Sequence, residues 1–236
     1  SSTGTAGWTT TFQAGSNPQD VAVDNSGNVY IAHSNTIHRF DHGSGDGNFY
    51  GFSTHGSETK GVAVDSFGNV YVANEGNVIQ KFGPSGNLIL SIGGFDIIGG
   101  HQIWNQGTGN GEFDRPMRIA VDNSGNIYVT DFNNDRVQKF DSSGNFITKW
   151  GSWGEGEGQF KNAGGIAFDG PGNVYVVDMG NARVQKFSSE GTFLSAWSTN
   201  DEPHACRRIA IDGSGNIYLS CSHYVYPDSF PSIKKF

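Results

Sequence analysis

The sequence predicts an all-β propeller of five four-stranded antiparallel blades, with a six-bladed ring or a fragment of a longer array as alternatives. Three observations predict it. A short phrase recurs five times, hydrophobic-Ala-hydrophobic-Asp, a tight turn, then Gly-Asn-hydrophobic-Tyr, running from Asp24 to Tyr30, Asp65 to Tyr71, Asp122 to Tyr128, Asp169 to Tyr175 and Asp212 to Tyr218. The anchor aspartates lie 41, 57, 47 and 43 residues apart, and a period in the forties built from short strands marks a propeller blade. Gly is abundant at 35 residues, Ser, Thr and Asn crowd the turns, and long helical patterns are missing.

The third repeat reads strand by strand. Met117 to Val121 is an apolar run entering the Asp122-Asn-Ser-Gly-Asn turn, where the Gly takes the left-handed conformation. Ile127 to Thr130 is the return strand, Arg136 to Phe140 alternates with period two, and Phe146 to Trp150 follows another Gly-Asn turn. The fourth repeat copies this with Arg183 to Phe187 and Phe193 to Trp197, and the second with Val78 to Phe82 and Leu88 to Ile92. The first is looser, with Ile37 to Phe40 and a fourth strand near Phe49 to Ser53. The fifth ends on Ile233 to Phe236, with no fourth strand of its own. Trp8 to Phe12 repeats the four-residue aromatic spacing of Phe146/Trp150, so it is the expected outermost strand of the last blade, hiding edges that an open stack would expose. The resulting domain covers 1–236, with blades at about 15–53, 57–92, 114–151, 161–198 and 204–236 plus 8–13. The gap between the second and third anchors holds one blade and about fifteen extra residues, too few for a sixth. The recurring Tyr residues and Phe40, Phe82, Phe140, Phe187 and Phe236 are expected to pack between blades.

Composition narrows the function. The net charge of −8 argues against a nucleic-acid surface, which needs clustered Lys and Arg. No stretch approaches the ~18 apolar residues that span a bilayer. The chain has no initiator Met and no signal peptide, as expected of a processed or excised piece, and its uncharged, Ser/Thr/Asn/Gly-rich surface suits an extracellular or cell-surface protein. Cys206 and Cys221 flank the two strands of the last hairpin, where they would either form a disulfide in an oxidising compartment or remain two half-buried thiols.

Asp131-Phe-Asn-Asn134-Asp-Arg136-Val-Gln-Lys-Phe140 and Asp178-Met-Gly-Asn181-Ala-Arg183-Val-Gln-Lys-Phe187 resemble the NHL-repeat family, as do the Gly-rich runs Gly109 to Phe113 and Gly154 to Phe160. The resemblance covers nearly the whole chain. It implies a propeller that usually binds a protein or nucleic acid and, in a minority branch, carries a metal-dependent lyase. This sequence departs from it in counting five repeats where the family most often has six, and in losing Asn-x-Arg from blades one, two and five.

In a propeller, the loops between blades and those joining strands two and three open on one face. Two segments exceed the repeat there, 93–111 and 222–232, and both are expected to be long aromatic loops that bind. Ile103, Trp104, Tyr224, Tyr226 and Phe230 are their anchors, and covering an apolar patch or closing the ring is the alternative role. Four residues before each anchor stand Asp20, Gly61, Arg118, Gly165 and Arg208. Arg118 and Arg208, with Arg207, would bind an anionic group or pair with Asp131, Asp178, Asp201 or Glu202. Nine residues after the anchors, His33, Asp131 and Asp178 would hold Ca²⁺ or Zn²⁺ at the channel mouth, or the aspartates would cap the following turns. The anchor aspartates themselves read as turn residues on the opposite face.

No nucleophile elbow, zinc-protease helix, P-loop or dinucleotide fingerprint is present, and the Gly-x-Gly runs at 43–47, 107–111 and 154–158 read as flexible loops. The sequence therefore points to a non-catalytic, secreted binding or assembly scaffold without cofactor, contacting protein, copies of itself or a saccharide and not nucleic acid. The competing reading is a metal-dependent lyase or hydrolase at the channel mouth.

Overall fold

The turn that follows each innermost strand explains why the phrase recurs. Asp24 Oδ1 accepts the backbone N–H groups of Ser26 and Asn28, both at 2.9 Å, while Oδ2 accepts from Asn28 Nδ2 at 2.8 Å and the Tyr30 hydroxyl at 3.2 Å. Gly27 donates to the Asp24 carbonyl at 3.0 Å with φ +82°, a conformation that costs an L side chain strain and glycine nothing. Asp65, Asp122, Asp169 and Asp212 repeat the arrangement. In the fourth copy Pro171, which has no N–H, replaces the first backbone donor. Burial works against the ionised Asp24, Asp65 and Asp169, yet their Asn, Tyr and backbone donors together hold them below the ordinary carboxylate range. Asn216 does the same for Asp212, lowered to about 2.

The computed structural model describes residues 18–42, 50–53, 58–98, 101–199, 204–225 and 228–236. Blade one comprises β1 (Asp20–Val23), β2 (Val29–His33), β3 (Thr36–Phe40) and β4 (Tyr50–Ser53), and blade two β5 (Thr59–Val64), β6 (Val70–Asn74), β7 (Val78–Phe82) and β8 (Leu88–Ile92). A separate hairpin, β9 (Gly94–Ile98) with β10 (His101–Asn105), follows. Blade three is β11 (Pro116–Val121), β12 (Ile127–Asp131), β13 (Arg136–Phe140) and β14 (Phe146–Trp150). Blade four is β15 (Ala163–Phe168), β16 (Val174–Asp178), β17 (Arg183–Phe187) and β18 (Phe193–Ser198). Blade five has three described strands, β19 (His204–Ile211), β20 (Ile217–Val225) and β21 (Asp228–Lys235). Every sheet is antiparallel and in sequence order, with the first strand innermost, and the innermost strands of blades one to five pack successively against each other. The architecture is the five-bladed propeller that the repeats predict.

Apolar cores lie between blades. Tyr30, Val62 and Phe82 fill the first interface, Tyr71, Ile119 and Phe140 the second, Tyr128, Ile166 and Phe187 the third, and Tyr175, Leu219 and the cysteines the fourth. Tyr30, Tyr71, Tyr128 and Tyr175 are thus buried on their rings while their hydroxyls reach the anchor Asp, and a cation from the neighbouring strand lies over each ring, as Lys139 does over Tyr128 at 5.2 Å. The expectation of inter-blade packing fails at the end of the ring. Phe236 is 46% exposed and Tyr218 only half-buried. Ile233 is 77% exposed, whereas its counterparts Ile37, Ile79, Val137 and Val184 are fully buried, and Val21 and Val23 of β1 are 56% and 60% exposed. Between the fifth and first blades the described residues contribute no buried apolar cluster for these side chains to pack on. The segment 8–13 expected to close that seam lies outside the described residues, as do Gly43 to Gly47.

Candidate functional site

The face carrying the inter-blade connections is organised in blades three and four by two matching polar clamps. Asp131 is fully buried at the end of β12. Its Oδ2 accepts from Arg136 Nε at 2.8 Å, Asn134 Nδ2 at 2.9 Å and Gln138 Nε2 at 3.2 Å, and its Oδ1 from the Asp114 N–H at 2.8 Å. Arg136 goes on to donate to the carbonyls of Thr108, Gly109 and Glu112, and Gln138 both donates to the Glu112 carbonyl and accepts from the Gly111 N–H. In blade four Asp178 receives Arg183, Asn181, Gln185 and the Lys161 N–H in the same way, and Arg183 and Gln185 hold the carbonyls of Gly156 and Gln159. Burial pushes the Asp131 carboxyl up, and these donors oppose it.

Two expectations are corrected by this geometry. The runs 107–111 and 154–158 are not flexible loops, because side chains from the following blade satisfy their backbone groups. The aspartates are also not presented to a metal. Each Oδ2 already accepts three side-chain donors, so the residues do not fit a Ca²⁺ or Zn²⁺ site. His33 lies at the end of β2, with its ring 5.5 Å from that of His38. Among the described residues no group of three or more His, Cys, Asp and Glu side chains gathers to hold a metal.

The residues four before the anchors meet at the centre of the ring. In β5, β11, β15 and β19 the register slips by a bulge just before this position, which re-aims the side chains there. Gly61 and Gly165 make room for the next inner strand: a Cβ on Gly61 would stand 3.0 Å from Arg118 Cα, and one on Gly165 2.9 Å from Arg208 Cα. Arg118, 8% exposed, donates through Nη1 to the carbonyls of Lys60 and Met117. Arg208 donates to the Gln19 carbonyl and pairs with Asp20 at 3.6 Å, bridging the fifth blade to the first. Burial pushes Asp20 up, while Arg118 and Arg208 pull its carboxyl down. Of the two alternatives expected for these arginines, pairing with Asp131 or Asp178 is not what the geometry shows: Arg208 pairs with Asp20 and Arg118 acts on that carboxylate only through its charge, because the curvature of five inner strands brings the first, third and fifth blades together. Arg118 is spent on backbone carbonyls, while Arg208, more open, is the seam contact.

Much of what is described of the two over-length segments is strand and not loop. Ile103 and Trp104 stand on β10, paired with Asp96 and Phe95 of β9. Segment 222–232 extends the β20–β21 hairpin, in which Tyr224 pairs with Ser229 and Phe230 with His223, while Tyr226 lies outside the described residues. Cys206 and Cys221 face each other across β19 and β20 and are joined by a disulfide. No described helix is long and apolar enough to cross a membrane.

The NHL repeat pattern matches residues 113–140, the stretch containing β11, β12 and β13. Protein lin-41 of Caenorhabditis elegans is 52% identical over 44 residues, a match covering 19% of this chain and 4% of that protein. A protein of unknown function from Bacteroides caccae superposes with a TM-score of 0.64 at 16% identity, covering 90% of this chain and 73% of the other. A streptogramin B lyase structure superposes at 0.58 with 12% identity, covering 93% and 82%. At these identities the likeness to both structures is one of fold. Residues 113–140 carry an NHL repeat, and the other four blades of this five-bladed propeller repeat its turn chemistry, in keeping with the resemblance seen in the sequence.

Proposed function

We propose that the protein is a non-catalytic binding or assembly module of the extracellular space or cell surface, and that its contact face carries the β9–β10 hairpin and the extended β20–β21 hairpin. The observation that carries this reading is where the repeat is broken. Both additions are hairpins, and topology puts both on the face of the inter-blade connections. The opposite face repeats one Asp-Gly-Asn-Tyr turn in every blade. Aromatic side chains dominate interface energetics, and the segments carry Trp104, Tyr224, Tyr226 and Phe230. The Cys206–Cys221 disulfide supports an oxidising compartment. The net charge of −8 favours a protein, a further copy of the chain or a saccharide over nucleic acid.

Lysine-directed cross-linking of the native assembly tests the reading. Lys161 marks the hairpin face, through its ion pair with Glu155, while Lys186 lies over the anchor tyrosine Tyr175 of the other, and both side chains are partly exposed. Intermolecular cross-links should concentrate on Lys161 and disappear when residues 95–104 are replaced by a short Gly-Ser turn. Cross-links confined to Lys186 would overturn it.

A further inference from the structure

The outer strands of the propeller carry an aromatic residue at one register position. Phe52 of β4 stands opposite Ile37, Trp150 of β14 opposite Val137, and Trp197 of β18 opposite Val184. Blade two alone among the four-stranded blades breaks the pattern, placing Ile92 opposite Ile79. In blade three the Trp150 ring covers the turn glycine of the next blade so closely that a Cβ on Gly191 would come within 2.6 Å of it, and it packs on Phe187 with ring centres 5.8 Å apart. In blade two the aliphatic Ile92 and Leu90 cover the equivalent Gly144, at 3.2 and 3.4 Å from a Cβ placed there, where blade three uses an indole, and a groove of about 650 Å³ opens between the outer edges of blades two and three. Leu90, Ile92 and Phe146 form its walls, the glycine backbones at 111 and 144 its rim, and Glu112 is the only charged residue lining it. The groove ends at Gly93 and Gly94, the foot of the inserted hairpin.

We propose that this groove is the seat of a single aromatic side chain from a partner peptide that carries a cationic residue beside it. The ring takes the place that Trp150 fills one blade further on, so the fold itself supplies the template for what fits. Glu112, in a chain of net charge −8, selects the cation. A peptide is the fitting bearer because β8 is the outermost strand of its sheet, with Leu88 and Ile89 about half exposed, and an edge strand accepts a further extended segment. This site is distinct from the hairpin face and does not depend on its role.

Amide NMR titration with three blocked probes, Thr-Trp-Lys-Thr, Thr-Trp-Glu-Thr and Thr-Ala-Lys-Thr, tests the proposal. The first should shift the amides of Gly93, Gly94, Gly111 and Gly144 saturably, and the other two should bind at least ~tenfold more weakly. Ile92→Trp should raise the thermal midpoint and abolish the shifts. Ile92→Phe, the aromatic type of blade one, serves if the indole variant fails to fold. Glu112→Gln should reduce Trp-Lys binding to the Trp-Glu level. Absence of saturable shifts with the Trp-Lys probe, or shifts unchanged by filling the groove, would overturn the proposal. Binding that appears only in a Trp8→Ala/Phe12→Ala variant would also overturn it, by assigning the groove to the chain's own segment.

Discussion

The Asp131 clamp can be taken apart by a double-mutant cycle with Arg136. Asp131→Asn keeps the shape and removes the charge, turning an acceptor of four hydrogen bonds into a group that presents N–H to donors. Arg136 is 6% exposed and keeps its charge with only backbone carbonyls to face it. Stranding one member of a buried pair typically costs 3–5 kcal/mol. Burial already pushes the Asp131 carboxyl up, so relief of that cost places the expected loss near the lower end, about 3 kcal/mol. Arg136→Met strands the fully buried Asp131 carboxylate in turn and frees the carbonyls of Thr108, Gly109 and Glu112, but Asn134, Gln138 and the Asp114 N–H still donate to the carboxylate, so its loss should also be about 3 kcal/mol. The double variant strands no charge, so its loss should be about 3 kcal/mol and not the sum, a coupling of about 3 kcal/mol. Urea unfolding followed by tryptophan fluorescence reads the stabilities, and hydrogen exchange at residues 107–112 reads the loop. A coupling below about 0.5 kcal/mol would refute the reasoning, since independent sites add to within that margin.

Three further outcomes follow from the same structure. Tyr128→Ala should lose about 3 kcal/mol by leaving a cavity in the third interface, and Tyr218→Ala distinctly less because its ring is only half-buried; equal losses in urea melts would contradict that difference in burial. Deleting residues 1–13 should lower stability by about 3 kcal/mol or more, the burial of two aromatic side chains, whereas an unchanged melting temperature would show that the segment does not close the ring. Acid should destabilise the turns. Asp24, Asp65, Asp169 and Asp212 have folded-state values below 3.8, so their contribution is present above that pH and is lost as pH falls through the folded values, about 2 for Asp212. Asp20 and Asp131, shifted upward, run the other way and soften the slope. Urea midpoints measured from pH 5 to pH 2 should fall, and a flat profile would refute this assignment.

The blades were legible in the sequence because their defining chemistry is local. Each anchor Asp and the Tyr it receives are six residues apart, so the turn, the strand pair and the inward Tyr all fall within one short phrase. The clamps were half legible. Asn-x-Arg identified the repeat, but Arg136 reaches carbonyls 24 to 28 residues back, and only the packed blade shows that it fastens a glycine loop. The Asp20–Arg208 pair was not legible, since it depends on a ring closing around a bulged inner strand. The groove beside Ile92 is a missing side chain, visible only when Leu88–Ile92 is laid on Phe146–Trp150 with the cross-strand register known. The two hairpins looked like loops because their length was read against the blade repeat.

The strongest interfaces and the surfaces proposed for recognition occupy different parts of this ring for a physical reason. Blades three and four satisfy the glycine-loop backbone on their upper edge with side chains of the same repeat, and they fill their outer edge with Trp150 and Trp197. A surface self-satisfied in this way has little to offer a partner, because any new contact must first break an existing one. Ile92, the β9–β10 hairpin and the extended fifth blade are the places where the repeat withholds a ring, adds strands or leaves apolar residues uncovered. Each departure sits beside a regular interface that holds it in position, so binding energy need not be spent on ordering the scaffold. A five-fold repeat with local exceptions thus separates rigidity from specificity, and substitutions at the exceptions should change binding while leaving the clamps and the anchor turns intact.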